Sequence, residues 1–148
     1  MVRGRSHGYD LLIEQAGLDT NNDLMFGNLG ADTFDFSALN ASGQTTAAAD
    51  RIADFSTAQG DKITIDVTGV MEFIAISNAS INSVETAITA ANAANAFDIA
   101  DVVFVTGPGT SGFLLVDQND SGAFGSSTDF AIVLQNFTSL SASDIIAI

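Results

Sequence analysis

The sequence has no cysteine and a single histidine among its 148 residues. The first absence excludes disulfides, thiolate zinc sites, iron–sulfur clusters and cysteine nucleophiles. The second leaves no histidine-built zinc centre, since His7 stands alone. No apolar run approaches the roughly 18 residues that span a bilayer. The N-terminus lacks the apolar core of a cleavable signal peptide, so any export address is expected elsewhere. Positive charge is scarce: 4 Lys and Arg face 18 Asp and Glu, for a formal charge of −14. After Arg5, only Arg51 and Lys62 oppose the carboxylates. Such a chain repels DNA, RNA and anionic membrane, all polyanions, so neither nucleic acid nor membrane insertion is expected. It attracts hard cations, and calcium, which takes carboxylate and carbonyl oxygens, is the expected one. Without disulfides, a small secreted fold needs another staple, and a bound metal is one.

Apolar content is plentiful. At 47% hydrophobic the chain is not compositionally disordered, and its length suits one domain. Residues 1–8, MVRGRSHG, read as a candidate tag or disordered start, and 9–148 as a single domain. Residues 9–16 are a short apolar run of undecided type, and 37–49 a small, polar loop. Residues 49–67, ADRIADFSTAQGDKITIDV, predict two short strands around a Gly60–Asp61 turn. Residues 70–76 are another strand candidate. Residues 82–96 predict a helix, capped by Asn82 with Glu85 completing a capping box. Val84, Ala87, Ile88, Ala91 and Ala94 fall on one of its faces. Residues 102–105 and 113–116 predict strands joined by Gly107-Pro108-Gly109. A polar loop over 117–128 and a last strand over 130–134 follow. The expected class is mostly β, with one helix near residues 82–96.

Residues 17–36 carry a repeat. Placing LDTNNDLMF, residues 18–26, over GNLGADTFD, residues 27–35, sets Asn21 over Gly30, Asp23 over Asp32 and Met25 over Phe34. Asn and Gly both tolerate the left-handed backbone of a tight turn. A nine-residue period with a turn, an aspartate and one inward apolar residue is the mark of a parallel β-roll.

The stretch GNLGADTFDF resembles the G-G-x-G-x-D-x-U-x repeat of the RTX, or hemolysin-type calcium-binding, family. ADRIADFSTAQGDKI resembles the segment after the last repeat in C-terminal domains of serralysin-like metalloproteases. FLLVDQNDSGAFGSSTDFAIVLQNFTSLSASDII resembles the closing hairpins of type I secreted proteins, and Asp144-Ile145-Ile146-Ala147-Ile148 matches their acidic-then-apolar ending. The pattern departs from the family at Asn28, which holds the place of the second glycine, and in the earlier turn, whose glycines are almost all gone.

The resemblance implies a short parallel β-roll followed by antiparallel strands in a sandwich-like arrangement. It implies calcium held by Asp23, Asp32 and the carbonyls near Asn21, Gly27, Leu29 and Gly30, with Asp50 closing a site from the other side. The competing view is that these are plain turns capped by aspartates. It further implies a secreted or cell-surface protein that folds on calcium outside the cell and is exported by a type I (ABC) apparatus. A calcium-dependent, self-associating surface-layer or adhesin protein is the alternative. Asp54 and Asp61 fit a structural role in turns. Asp117 to Gly122 resembles the first half of an EF-hand loop, but its twelfth position is Thr128, so an ordinary hairpin loop is expected. The chain itself is not expected to be an enzyme. The zinc-protease motif H-E-x-x-H and a G-x-S-x-G elbow are both missing. With 18 acids some carboxylate pair will always lie close, so a stand-alone hydrolase has no specific support.

Overall fold

The computed structural model describes residues 1–4, 8–13, 22–38 and 42–148. The described chain is mostly β, with two sheets and one α-helix. In order the elements are β1 (Val2–Arg3), β2 (Leu11–Ile13), β3 (Leu24–Phe26), β4 (Thr33–Phe36), β5 (Asp50–Ile52), β6 (Lys62–Ile65), β7 (Phe73–Ser77), α1 (Val84–Ala93), β8 (Val102–Thr106), β9 (Gly112–Val116), β10 (Phe130–Leu134) and β11 (Ile145–Ala147). The larger sheet runs β1-β3-β5-β10-β9-β8-β7 and the smaller β11-β6-β4-β2.

The first six strands alternate between the sheets, odd in the larger and even in the smaller, and each pairs in parallel with the strand two before it. Val2, Met25 and Ile52 stand in register in one sheet, and Leu12, Phe34 and Ile63 in the other. Met25 and Phe34, nine residues apart, are both fully buried, each pointing from its own sheet into the shared core. Strands this short bury one or two side chains each, because successive residues face opposite ways. Stacking is therefore what builds the core. The residues 1–8 expected as a tag or disordered start contribute β1 to this stack.

The second half is a meander. β8, β9 and β10 are antiparallel neighbours, β10 joins β5 in parallel, and β7 joins β8 in parallel at the far edge. β9 and β10 are buried at every residue and β8 at all but its last. One face meets the smaller sheet and the other meets α1, so both must be apolar. Residues 49–67 do form two strands, but β5 and β6 belong to different sheets. The strand expected over 70–76 begins at Phe73, and Val70 is exposed. The helix is shorter than expected and starts one residue later. Ser83, in extended backbone, is the N-cap and forms the capping box with Thr86. Asn82 loses that role because Glu85 is drawn away to Thr46. Val84, Ala87 and Ala91 of the expected face are buried, while Ala94 is exposed.

Candidate metal centre

Three turns lie one above another where the chain passes from the larger sheet to the smaller: the one between β1 and β2, described at Gly4 and at residues 8–10 and called turn 4–10 below, 27–32 between β3 and β4, and 54–61 between β5 and β6. Parallel pairing on either side sets their stacking. In the first two, Gly4, Gly8 and Asp10 sit against Phe26, Leu29 and Asp32. Gly4 N–H donates to the Phe26 carbonyl at 2.7 Å, Gly8 N–H to the Leu29 carbonyl at 3.0 Å, and Asp10 N–H to Asp32 Oδ1 at 2.9 Å. The approach is close. A Cβ on Gly30, which has φ 135°, would lie 1.6 Å from the Gly8 carbonyl oxygen. Only glycine fits there.

Each aspartate folds back over the glycine that opens its turn. A Cβ on Gly27 would lie 2.5 Å from Asp32 Oδ2, and one on Gly4 would lie 2.7 Å from Asp10 Oδ2. Gly4 with Asp10 and Gly27 with Asp32 thus share one arrangement. The turn 4–10 escapes a fixed nine-residue period because its Asp10 lies 22 residues before Asp32, not a multiple of nine, and because G-R-S-H-G-Y-D carries one residue more than G-N-L-G-A-D.

Asp32 is 1% exposed. Its Oδ1 accepts from Asp10, while Oδ2 is buried with no hydrogen-bond partner. Burial pushes its carboxyl pKa up from 3.8, and the negative charges of Asp61, Asp10 and Asp54 push it further, against the opposing Asp10 N–H. Asp61, also buried, is raised for the same main reason, with Asp54 adding to it and the N–H groups of Asp32 and Ser56 opposing. Among the described residues no basic side chain forms a salt bridge with either.

The other expected ligands divide. Asp23 enters β3 and Gly27 leaves it, so they stand at opposite ends of the strand. Asp50 belongs with Asp23, whose N–H donates to Asp50 Oδ1 at 2.6 Å. It therefore lies on the Asp23 side of the strand, away from the turn that holds Asp32. Asp23 Oδ1 also receives the N-terminal amine of Met1. Gly27, Leu29, Gly30 and Asp32 share one turn, and Asn21 lies outside the described residues. Among the described residues no three Asp, Glu or His side chains converge to hold a metal. A cation at turn 27–32 would rest on carboxylates together with backbone carbonyls, a donor set that calcium accepts.

The late loop is closed by its own acids. Asp117 accepts from Ser121 N–H at 3.1 Å and Gly122 N–H at 3.0 Å, and Asp129 accepts from Gly125 and Ser126 N–H at 2.6 Å each. Burial raises the Asp117 carboxyl, and nearby Asp129 adds to the rise. This loop connects the antiparallel β9 and β10, the hairpin arrangement expected for it.

Compared with known proteins, the chain matches no protein-family model and no curated protein. Among the described residues no helix is long and apolar enough to cross a membrane.

Proposed function

We propose that the stacked turns form a short parallel β-roll and that this chain is a calcium-binding module of a type I secreted protein. One observation carries the proposal. Asp32 Oδ2 is a buried carboxylate oxygen with no hydrogen-bond partner, folded over Gly27. Leaving a charged acceptor buried and unpaired is costly, and a divalent cation removes that cost. Asp32 and Asp10, with the carbonyls of Gly27 and Leu29, would hold it. The Leu29 carbonyl already accepts from Gly8, and a carbonyl oxygen keeps a second lone pair. Calcium supplies positive charge between two turns whose carboxylates otherwise repel. Its binding free energy then adds to folding free energy by mass action. Before it folds the chain can thread an exporter, and millimolar calcium outside the cell then adds to the stability of the folded roll.

Residues 144–148 are proposed as the export address. In the folded chain they are structured. β11 runs parallel to β6, Lys62 Nζ donates to the Ser143 carbonyl at 2.7 Å, and Asp144 is nearly buried. An address held this way is readable only before folding, which fits export of an unfolded chain. No catalytic role is proposed.

Titration of the purified chain by calorimetry and circular dichroism tests the metal assignment. Saturable calcium binding with a raised melting temperature, and a far smaller effect of magnesium, are expected. Equal stabilisation by both ions, or by neither, overturns it.

A further inference from the structure

The two interfaces of turn 27–32 are built differently. Against turn 4–10, the contacts are backbone carbonyls of Phe26 and Leu29, the carboxylate of Asp32 and the Asn28 side chain, whose Nδ2 donates to the Gly4 carbonyl. Against turn 54–61, every described backbone bond of the turn ends on a side chain. Asp54 takes Gly27 N–H on Oδ1 and Asn28 N–H on Oδ2, both at 2.9 Å. Gln59 Oε1 takes Gly30 N–H at 2.9 Å, and its Nε2 donates to the Asn28 carbonyl at 3.3 Å. Asp61 Oδ1 takes Asp32 N–H at 3.0 Å, while its Oδ2 takes Ser56 N–H at 2.9 Å and so anchors the loop that carries all three.

We infer that Asp54, Gln59 and Asp61 form a side-chain clamp that sets the shape of turn 27–32 without metal, so that calcium acts on the opposite side of that turn, at the first rung with Gly4 and residues 8–13. The second half of this inference rests on the calcium reading above, and the first half does not. Four N–H groups of the turn point at the clamp, and each meets an acceptor of fixed position. Each carboxylate oxygen of Asp54 and Asp61 already accepts an N–H, so a cation between turns 27–32 and 54–61 would find only their second lone pairs. Side chains of loop 54–61 occupy the place where another glycine-rich turn would lie. Asn28, at φ 71°, is held from both sides, since its N–H meets Asp54 and its Nδ2 donates to the Gly4 carbonyl at 3.0 Å. The half of the calcium site on turn 27–32 is thus held by the clamp, and the half at Gly4 and Asp10 by hydrogen bonds to that turn, which the ion reinforces.

Amide hydrogen exchange of the full chain by NMR, with and without calcium, reads both halves. Without calcium, the amides of Gly27, Asn28, Gly30 and Asp32 are expected to be the better protected, and those of Gly4, Gly8 and Asp10, although hydrogen-bonded in the folded turn, to exchange faster. Calcium then protects the second group. Asp54→Ala is expected to speed exchange at Gly27 and Asn28 by about tenfold or more without calcium, the effect of losing one hydrogen bond of about 1.4 kcal/mol. Should that variant not fold, Gln59→Ala reads the same effect at Gly30. Free exchange of turn 27–32 in the calcium-free protein, or no effect of either variant, overturns the clamp. A protected turn 27–32 with no calcium response at Gly4, Gly8 and Asp10 overturns the calcium reading and keeps the clamp. Two bound calcium ions at these turns overturn the confinement to the first rung.

Discussion

Asp32→Asn separates a metal ligand from a turn aspartate, because asparagine keeps one function of the carboxylate and loses the other. Its carbonyl oxygen still accepts the Asp10 N–H that Asp32 Oδ1 accepts at 2.9 Å. What it removes is the charge on the buried, unpartnered Oδ2. Without calcium, weakening a charge-assisted bond to a neutral one costs up to about 1 kcal/mol. Relief of the burial that raises the Asp32 carboxyl works the other way. The calcium-free variant should therefore lie within about 1 kcal/mol of the wild type, less than about 4 °C in melting temperature. With calcium at about a hundred times its Kd, the wild type gains about 2.7 kcal/mol. For a chain of this length that is roughly 5–10 °C. Losing a charged ligand costs about 1.5–3 kcal/mol, or roughly 10- to 100-fold in affinity. At the upper figure the gain at the same calcium concentration falls to about 0.4 kcal/mol. Calorimetric melting and calcium titration of both proteins measure this, with Asp120→Ala as the control that keeps wild-type calcium affinity. An Asp32→Asn variant that melts low in both conditions, with an unchanged calcium shift, refutes the assignment and leaves Asp32 as a turn residue.

The calcium-free protein should become more stable on mild acidification. Burial raises the carboxyls of Asp32, Asp61 and Asp117 above 3.8, so the contribution of each is fully present below 3.8 and lost as pH rises through its raised value. Melting from about pH 7 down to about pH 5 in calcium-free buffer checks the sign, and a steady fall in stability over that range contradicts it. Glu85 behaves oppositely: hydrogen bonds from the Thr46 hydroxyl and N–H bring it from 4.5 down to about 2, so its contribution is present above 4.5 and lost as pH falls toward 2. Glu85→Ala should cost about 1 kcal/mol, an exposed pair being worth little more, and a double-mutant cycle with Thr46→Ala should show most of that as coupling. Finally, a slow-folding reporter fused to residues from 78 onward should leave cells that carry a type I exporter, and deletion of residues 144–148 should stop it. Equal secretion of the truncated fusion assigns those residues to β11 alone.

Some of this molecule is written locally. The runs at 102–105, 113–116 and 130–134 are buried on both faces, so they are apolar without interruption and legible as strands. The small, regularly spaced apolar residues of 84–91 similarly mark α1. The pairing of Met25 with Phe34 and of Asp23 with Asp32 is also local, since a nine-residue period reports one passage from sheet to sheet. What lies on top of what is a different kind of fact. It depends on where parallel strands far apart in sequence come into register, and loops of unequal length hide that from any fixed period. Only the tertiary structure brings Asp10 over Asp32, 22 residues away and off the nine-residue period, and sets Asp50 against Asp23 at the opposite end of β3 from Asp32. Only there does Thr46 capture Glu85, 39 residues away, and move the helix cap from Asn82 to Ser83. The clamp is the clearest case. Asp54, Gln59 and Asp61 read as ordinary turn residues, because the donors they satisfy belong to a different rung, 26 to 29 residues earlier.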